Sequence, residues 1–398
     1  MEVTVLKTPG PYCFLGNPVV FELQTAVYGA IDVSISCNGE TFTQSYYPFL
    51  KDGVYRCKVD ISGFLFKTNL ADSFPQGLGM VTPFAGHSVP FTFTIKDSVF
   101  IFFINDTPVY NDYIFSGTAF PGGVNDQTLA LLAKNSQDIF SFRLNVATRN
   151  FLFTTRTHRN VVRLKESEMY PFLFLHPLGV ISFRSGSGNS VEAVTQIEGT
   201  ICLLDIYKVK DQFLSDFSEN ALKIEVLVGT ALAFTFLIGE NKTTEERYRI
   251  RFRNSLGAFE VLEVIGVASH EPEFGDETIW KELTGSNFYE NRRDRVPMTE
   301  TIKVETGYKS KDDLLFVRDL VCSDEAYFYY PDGTYFRCTV KADKMAYRQK
   351  KIAPTSVALV VTEVGSGKYV SPELDRASLD ELGIYNETFD KTYTVDFM

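Results

Sequence analysis

Nucleophilic catalysis needs a Ser or Cys beside a His that a carboxylate orients. The chain has 398 residues with only four His and six Cys, and it lacks a Gly-x-Ser-x-Gly element. Gly186-Ser187-Gly188 lies in a flexible run, Ser185–Asn189, with no supporting signature. Gly77-Leu78-Gly79 is not followed by the third glycine and helix that would present backbone N–H groups to a pyrophosphate. His270-Glu271-Pro272 opens like a zinc-protease helix, but Pro272 breaks a helix and no second His follows at ligand spacing. Glu271, Glu273, Asp276 and Glu277 do not follow the order of a calcium loop and read as a solvated acidic stretch. Glycoside hydrolysis needs two facing carboxylates and no local motif, so 50 acidic residues supply pairs without singling one out. No catalytic residue, metal ligand or cofactor site is assigned.

The strongest local signal is Arg247-Tyr248-Arg249-Ile250-Arg251-Phe252-Arg253. On a strand, period-two alternation places Arg247, Arg249, Arg251 and Arg253 on one face and the apolar residues on the other. Like charges two residues apart repel, so the arginine face must meet solvent, carboxylates of its own chain, or a partner. An intrachain salt-bridged face and a docking face for an acidic neighbour both satisfy that demand. The four arginines are therefore the candidate interface. Tyr327-Phe328-Tyr329-Tyr330 likewise puts rings on both faces of a strand, one for a core and one for cover or contact.

Cys13, Cys37, Cys57, Cys202, Cys322 and Cys338 form no Cys-x-x-Cys pair, and most alternate with apolar neighbours. They are expected to be buried free thiols. Bridges Cys37–Cys57 and Cys322–Cys338 are conceivable because each pair flanks an expected hairpin. The sequons at Asn105, Asn241 and Asn386 carry little weight without an export signal.

These residues must be positioned by strands. Phe and Tyr number 35 and 20, a composition suited to pleated, half-buried surfaces. Ile31–Cys37 alternates and runs into Asn38-Gly39, the pair that supplies the positive φ angles of a type I′ hairpin. Lys51-Asp52-Gly53 and Pro331-Asp332-Gly333 mark two more hairpins. Further strands are expected at Phe91–Ile95, Val99–Ile104, Phe140–Val146, Phe151–Thr155, Phe172–Leu175, Val180–Phe183, Val191–Ile197, Thr200–Tyr207 and Val357–Val364. Helices are short: Gln127–Lys134 after Asn125, a turn at Ser378–Leu382, and one near 311–322 that Ser310 and Asp313 cap. The spacing predicts a mainly β protein of tandem sandwich-like modules rather than βαβ units.

Met1–Ser215 carries 16 basic against 18 acidic residues, and Asp216–Met398 carries 23 against 32, within a net charge of -11. That step, and the Gly86–Pro90 run, divide the chain into expected modules 1–88, 89–215 and 216–398, the last with a possible further split at Ser286–Asp294. The acidity argues against nucleic-acid binding. No run reaches 18 apolar residues, so no membrane span is expected. Met1-Glu2-Val3-Thr4 lacks the basic n-region and apolar core of a signal peptide.

Leu15–Leu23, with Gly16-Asn17-Pro18 entering a strand, resembles the start of β-rich tail proteins in phages and prophages of Bacteroides-type bacteria. Val59-Asp60-Ile61-Ser62, Phe252–Glu260 and Thr306-Gly307-Tyr308 are similar to other pieces of those proteins. The resemblance implies a non-enzymatic structural component of a phage tail or virion, at the tail tip or baseplate. It implies contacts with other virion proteins and with copies of itself, and a location in the virion after synthesis in the bacterial cytoplasm. A receptor-attachment protein that binds a surface glycan is the alternative, and a polysaccharide-degrading enzyme is a third reading.

Overall fold

The computed structural model describes residues 2–65, 79–104, 107–135, 139–140, 152–156, 160–175, 179–193, 201–240, 247–275, 278–282, 289–293, 298–310, 313–342, 345 and 354–365. The fold is mainly β. It divides into one unit of Met1–Arg163, Tyr170–Ile238 and Asn254–Ala258, and a second of Leu164–Met169, Gly239–Arg253 and Phe259–Met398.

The first unit opens with β1 (Val3–Lys7), β2 (Tyr12–Phe14), β3 (Val20–Thr25), β4 (Ile31–Cys37), β5 (Glu40–Tyr46), β6 (Phe49–Lys51) and β7 (Val54–Asp60). Helix α1 (Ser62–Leu65) leads to β8 (Val81–Pro83), β9 (Val89–Ile104) and β10 (Thr107–Phe120). Two sheets form, in the orders β1-β3-β7-β6 and β2-β10-β9-β4-β5. In β4 the alternation sends Ile31, Val33, Ile35 and Cys37 inward, where they meet Phe21, Leu23, Val59, Phe91, Phe93 and Ile95. Phe21 and Phe93 stack across the two sheets with centroids 3.7 Å apart. Asn38 and Gly39 take φ of 47° and 80°, and Asp52 and Gly53 take 52° and 80°, as the expected hairpins require.

The division expected after residue 88 runs through one sheet. Val33–Cys37 of β4 pair with Phe91–Ile95 of β9, so the strand after Pro90 completes the first sandwich. Gly86–Pro90 reads as a linker because chain-local signals do not register a partner more than fifty residues upstream.

Helix α2 (Asp126–Lys134) is capped by Asn125, whose side chain accepts from Thr128 N at 2.8 Å. Then follow β11 (Val161–Lys165), β12 (Phe172–Leu175), β13 (Ile181–Ser185), β14 (Ser190–Glu192), β15 (Ile201–Leu204), helix α3 (Ile206–Phe217), β16 (Lys223–Val228) and β17 (Ala231–Gly239). They make the sheets β11-β17-β16-β13-β14 and β12-β15-β8. The expected strand Thr200–Tyr207 ends at Leu204, because Asp205 caps α3 by accepting from Lys208 N at 3.2 Å. Ile206, Val209 and Phe213 then bury one helix face. The expected boundary at Ser215 thus falls inside a helix, and the charge step marks no structural break.

The second unit is built on β18 (Arg247–Arg253), β19 (Phe259–His270), β20 (Glu273–Phe274), β21 (Thr278–Glu282), β22 (Tyr289–Arg293), β23 (Met298–Thr299), β24 (Thr301–Glu305), helix α4 (Asp313–Val321), β25 (Ala326–Tyr329), β26 (Tyr335–Ala342) and β27 (Ala358–Glu363). Its main sheet closes on itself in the order β18-β19-β24-β27-β26-β25, a barrel rather than a further sandwich. Small paired ladders β20–β23 and β21–β22 lie in the segment between β19 and β24, so Ser286–Asp294 includes a paired strand. Tyr248, Ile250, Phe252, Leu262, Val264, Ile302, Phe328, Leu359 and Val361 share one core with Leu314, Phe316, Val317 and Leu320 of α4. Ser310 Oγ accepts from Asp313 N at 3.3 Å while Asp313 Oδ2 accepts from Ser310 N at 3.1 Å, so the predicted cap forms reciprocally.

All six cysteines are free, with Cys322 exposed. Among the described residues no helix is long and apolar enough to cross a membrane. The turn at Ser378–Leu382, the three sequons, and parts of the strands expected at Phe140–Val146, Phe151–Thr155 and Val191–Ile197 lie outside the described residues.

Candidate docking face

Three segments singled out in the sequence make specific local contacts. Asn17 Nδ2 donates to Val124 O at 2.8 Å and its Oδ1 accepts from Val124 N at 2.9 Å, an amide standing in for a strand neighbour. Asp60 Oδ1 accepts from Val19 N and Ser62 N at 3.1 and 3.0 Å. Asn254 is buried, accepts from Leu256 N and Ala258 N at 3.0 Å each, and donates to Phe153 O at 2.9 Å. Leu256 enters a cluster with Phe14, Phe120, Phe140 and Phe153. Gly257 has φ of +84°, and a Cβ there would stand 2.1 Å from Pro121 O. Its carbonyl accepts from Nε2 of the buried His87 at 2.5 Å.

The arginine row sits on β18 as the alternation requires, with Tyr248, Ile250 and Phe252 buried behind it. Its four members meet different fates. Arg247 Nη1 lies 2.6 Å from Glu263 Oε1, and Lys165 Nζ reaches the same oxygen at 2.5 Å. Ser167 Oγ donates to the other Glu263 oxygen. The Glu263 side chain is 0% exposed. Burial raises its pKa, but hydrogen bonds from Lys165, Ser167 and Arg247 outweigh that and hold the carboxyl below its usual range. The equally enclosed Glu168 accepts from Glu263 N and Lys165 N at 2.9 and 3.0 Å, with Lys309 Nζ 3.8 Å away. Arg253 is bound by Glu325, at 2.6 Å from Nη2 and 2.8 Å from Nε. Arg251 is buried among rings, its Cζ 4.7 Å from the Tyr327 centroid and 5.0 Å from that of Phe259.

Arg249 differs. It is half-buried over the ring of Tyr329, 5.9 Å from the centroid. Its cross-strand neighbour Glu263 already binds Lys165, Ser167 and Arg247. Register sets the remainder of the face: Arg249, Tyr329 and Tyr335 form one row, and Arg251, Tyr327 and Arg337 the next. Tyr329 and Tyr335 stack with centroids 4.9 Å apart at 25°. Arg337 and Lys341 alternate outward on β26 and are exposed. None of Arg249, Arg337 and Lys341 makes an ion pair among the described residues. The structure thus splits the predicted row into two salt-bridged members, one caged member and one open member, and adds Arg337 from another strand. The sequence signal for Arg337 is its outward place in Tyr335–Val340, which attracts no notice until the register sets it beside Tyr327.

The other chemistry-bearing segments are spent locally. His270 Nδ1 meets Glu300 Oε1 at 2.7 Å, and Glu271 pairs with Lys303 at 2.6 Å. Gly186-Ser187-Gly188 forms the tight connection between β13 and β14. Asp276, Glu277, Gly77 and Leu78 lie outside the described residues. Among the described residues there is no cluster of three His, Cys, Asp or Glu side chains arranged to hold a metal ion.

Comparison with protein-family models and with curated proteins finds no match to either.

Proposed function

We propose that the chain is a structural component of a phage tail or related particle, placed at the tail tip or baseplate and acting through protein–protein docking. The observation that carries this reading is the outer face of the barrel, where Arg249 and Arg337 flank stacked tyrosines and keep their charge unpaired among the described residues. Arginine with aromatic rings is the composition enriched where proteins meet. Strands locked in a closed sheet hold such a face with little entropy left to lose on contact. The resemblance of Leu15–Leu23 and Phe252–Glu260 to tail proteins points the same way. Mass spectrometry and electron cryomicroscopy of native particles test it: the chain should be found in stoichiometric amount at the tail end. Its absence from purified particles would remove the reading.

A second reading, attachment to a surface glycan, draws on a different feature. Tyr28 and Tyr47 are 59% and 66% exposed, and Tyr28 lies 5.6 Å from the ring of Tyr55. Open tyrosine rings offer sugars both an apolar face and a hydroxyl. A glycan array probed with the wild-type chain and with Tyr28→Ala/Tyr47→Ala tests it; the absence of any ring-dependent binding excludes it.

A further inference from the structure

We infer that the face bearing Arg249, Arg337 and Lys341 docks against an acidic surface of a second copy of this chain, in a head-to-tail contact. The inference rests on the assembly reading above and names the partner of that same face. Selective saturation is the first observation. Around this barrel Arg247, Arg253 and Lys165 are each tied to a carboxylate at 2.5–2.6 Å, whereas Arg249, Arg337 and Lys341 have none among the described residues. Geometry is the second. Arg249 and Arg337 stand two strands apart and one row offset, roughly 12 Å at the usual spacings, with Tyr327 and Tyr329 on the strand between them and Tyr335 on the strand of Arg337. Two cations across a tyrosine floor suit carboxylates that arrive from outside, because the rings exclude water and strengthen each charge pair.

Charge identifies the occupant. The chain has 50 acidic against 39 basic residues, so another copy carries an excess of carboxylates to set against this face. It also bears on how the copies meet. Two such faces set directly against each other would bring cations against cations, which repels. The contact therefore joins unlike surfaces, and repeated head to tail from copy to copy it yields a ring or an open string.

Sedimentation velocity on the full chain over a concentration series, at about 0.05 M and about 0.5 M salt, tests this. Wild type should form species beyond the dimer that dissolve at the higher salt. Arg249→Glu/Arg337→Glu should weaken association by at least about tenfold. Because its acidic surface is intact, that variant should still cap wild-type chains and shorten their oligomers when mixed with them. Circular dichroism and melting check the fold, and the exposed Arg337→Gln alone should give a smaller loss in the same direction. A monomer at every concentration, a dimer as the end state, salt-insensitive association, or capture of an acidic polysaccharide by this face in place of a second copy would overturn the inference. A chain present in native particles whose double variant still self-associates normally would overturn it too, while leaving the assembly reading standing.

Discussion

Glu263 and Arg247 meet diagonally across β18 and β19, with Oε1 and Nη1 2.6 Å apart and the carboxylate closed to solvent. Glu263 also binds Lys165 and Ser167, so it compensates two cations at once. Glu263→Gln should destabilise the second unit by about 3 kcal/mol or more, because it removes the buried carboxylate that Lys165 and Arg247 share. Urea unfolding measures this, and a change under about 1 kcal/mol would show the cluster to be energetically idle.

Acid should act through the same carboxylate. Its folded pKa lies below the ordinary 4.5, so its contribution is fully present above the unfolded value and fades as pH falls through the lower folded value. The urea midpoint of wild type should therefore drop as pH is taken below 4.5. Glu263→Gln should flatten that drop, and parallel profiles for the two proteins would contradict the assignment.

Removing the Asn254 amide should orphan Leu256 N, Ala258 N and Phe153 O together. Asn254→Ala should cost about 2–3 kcal/mol, more than a surface Asn→Ala change of a few tenths. Gly257→Ala should be comparably damaging through its positive φ and the Pro121 carbonyl. Thermal melting of both variants checks this.

Thiol labelling should sort the cysteines. Burial pushes Cys13 and Cys338 up to about 12 and Cys202 to about 11, while Cys322 is exposed. The thiolate is the reactive form. A maleimide at neutral pH should modify Cys322 quickly and reach those three only on unfolding; rapid native modification of Cys202 or Cys338 would contradict the packing.

Much of the architecture was legible because its causes are local. Asn38-Gly39, Asp52-Gly53 and the Ser310 cap act within a few residues, and each sits where its chemistry dictates. Helix α3 was also written locally, in Asp205 followed by Ile206, Val209 and Phe213, but the apolar run Ile201–Leu204 before it masked the change of period. What no local pattern contains is partnership. Lys165 and Glu325 lie 98 and 72 residues from the groups they neutralise, and only the folded register brings them there. Alternation therefore identified the faces of β18 correctly and could not apportion its arginines between bound and open.

Since β18 and β25–β27 already have a neighbour on either side, this sheet offers newcomers no edge strand among the described residues to zip onto. Recruitment to it must be spelled in side-chain identity alone. A charge reversal on this face would leave every backbone bond untouched and alter only the side chains that an incoming surface meets.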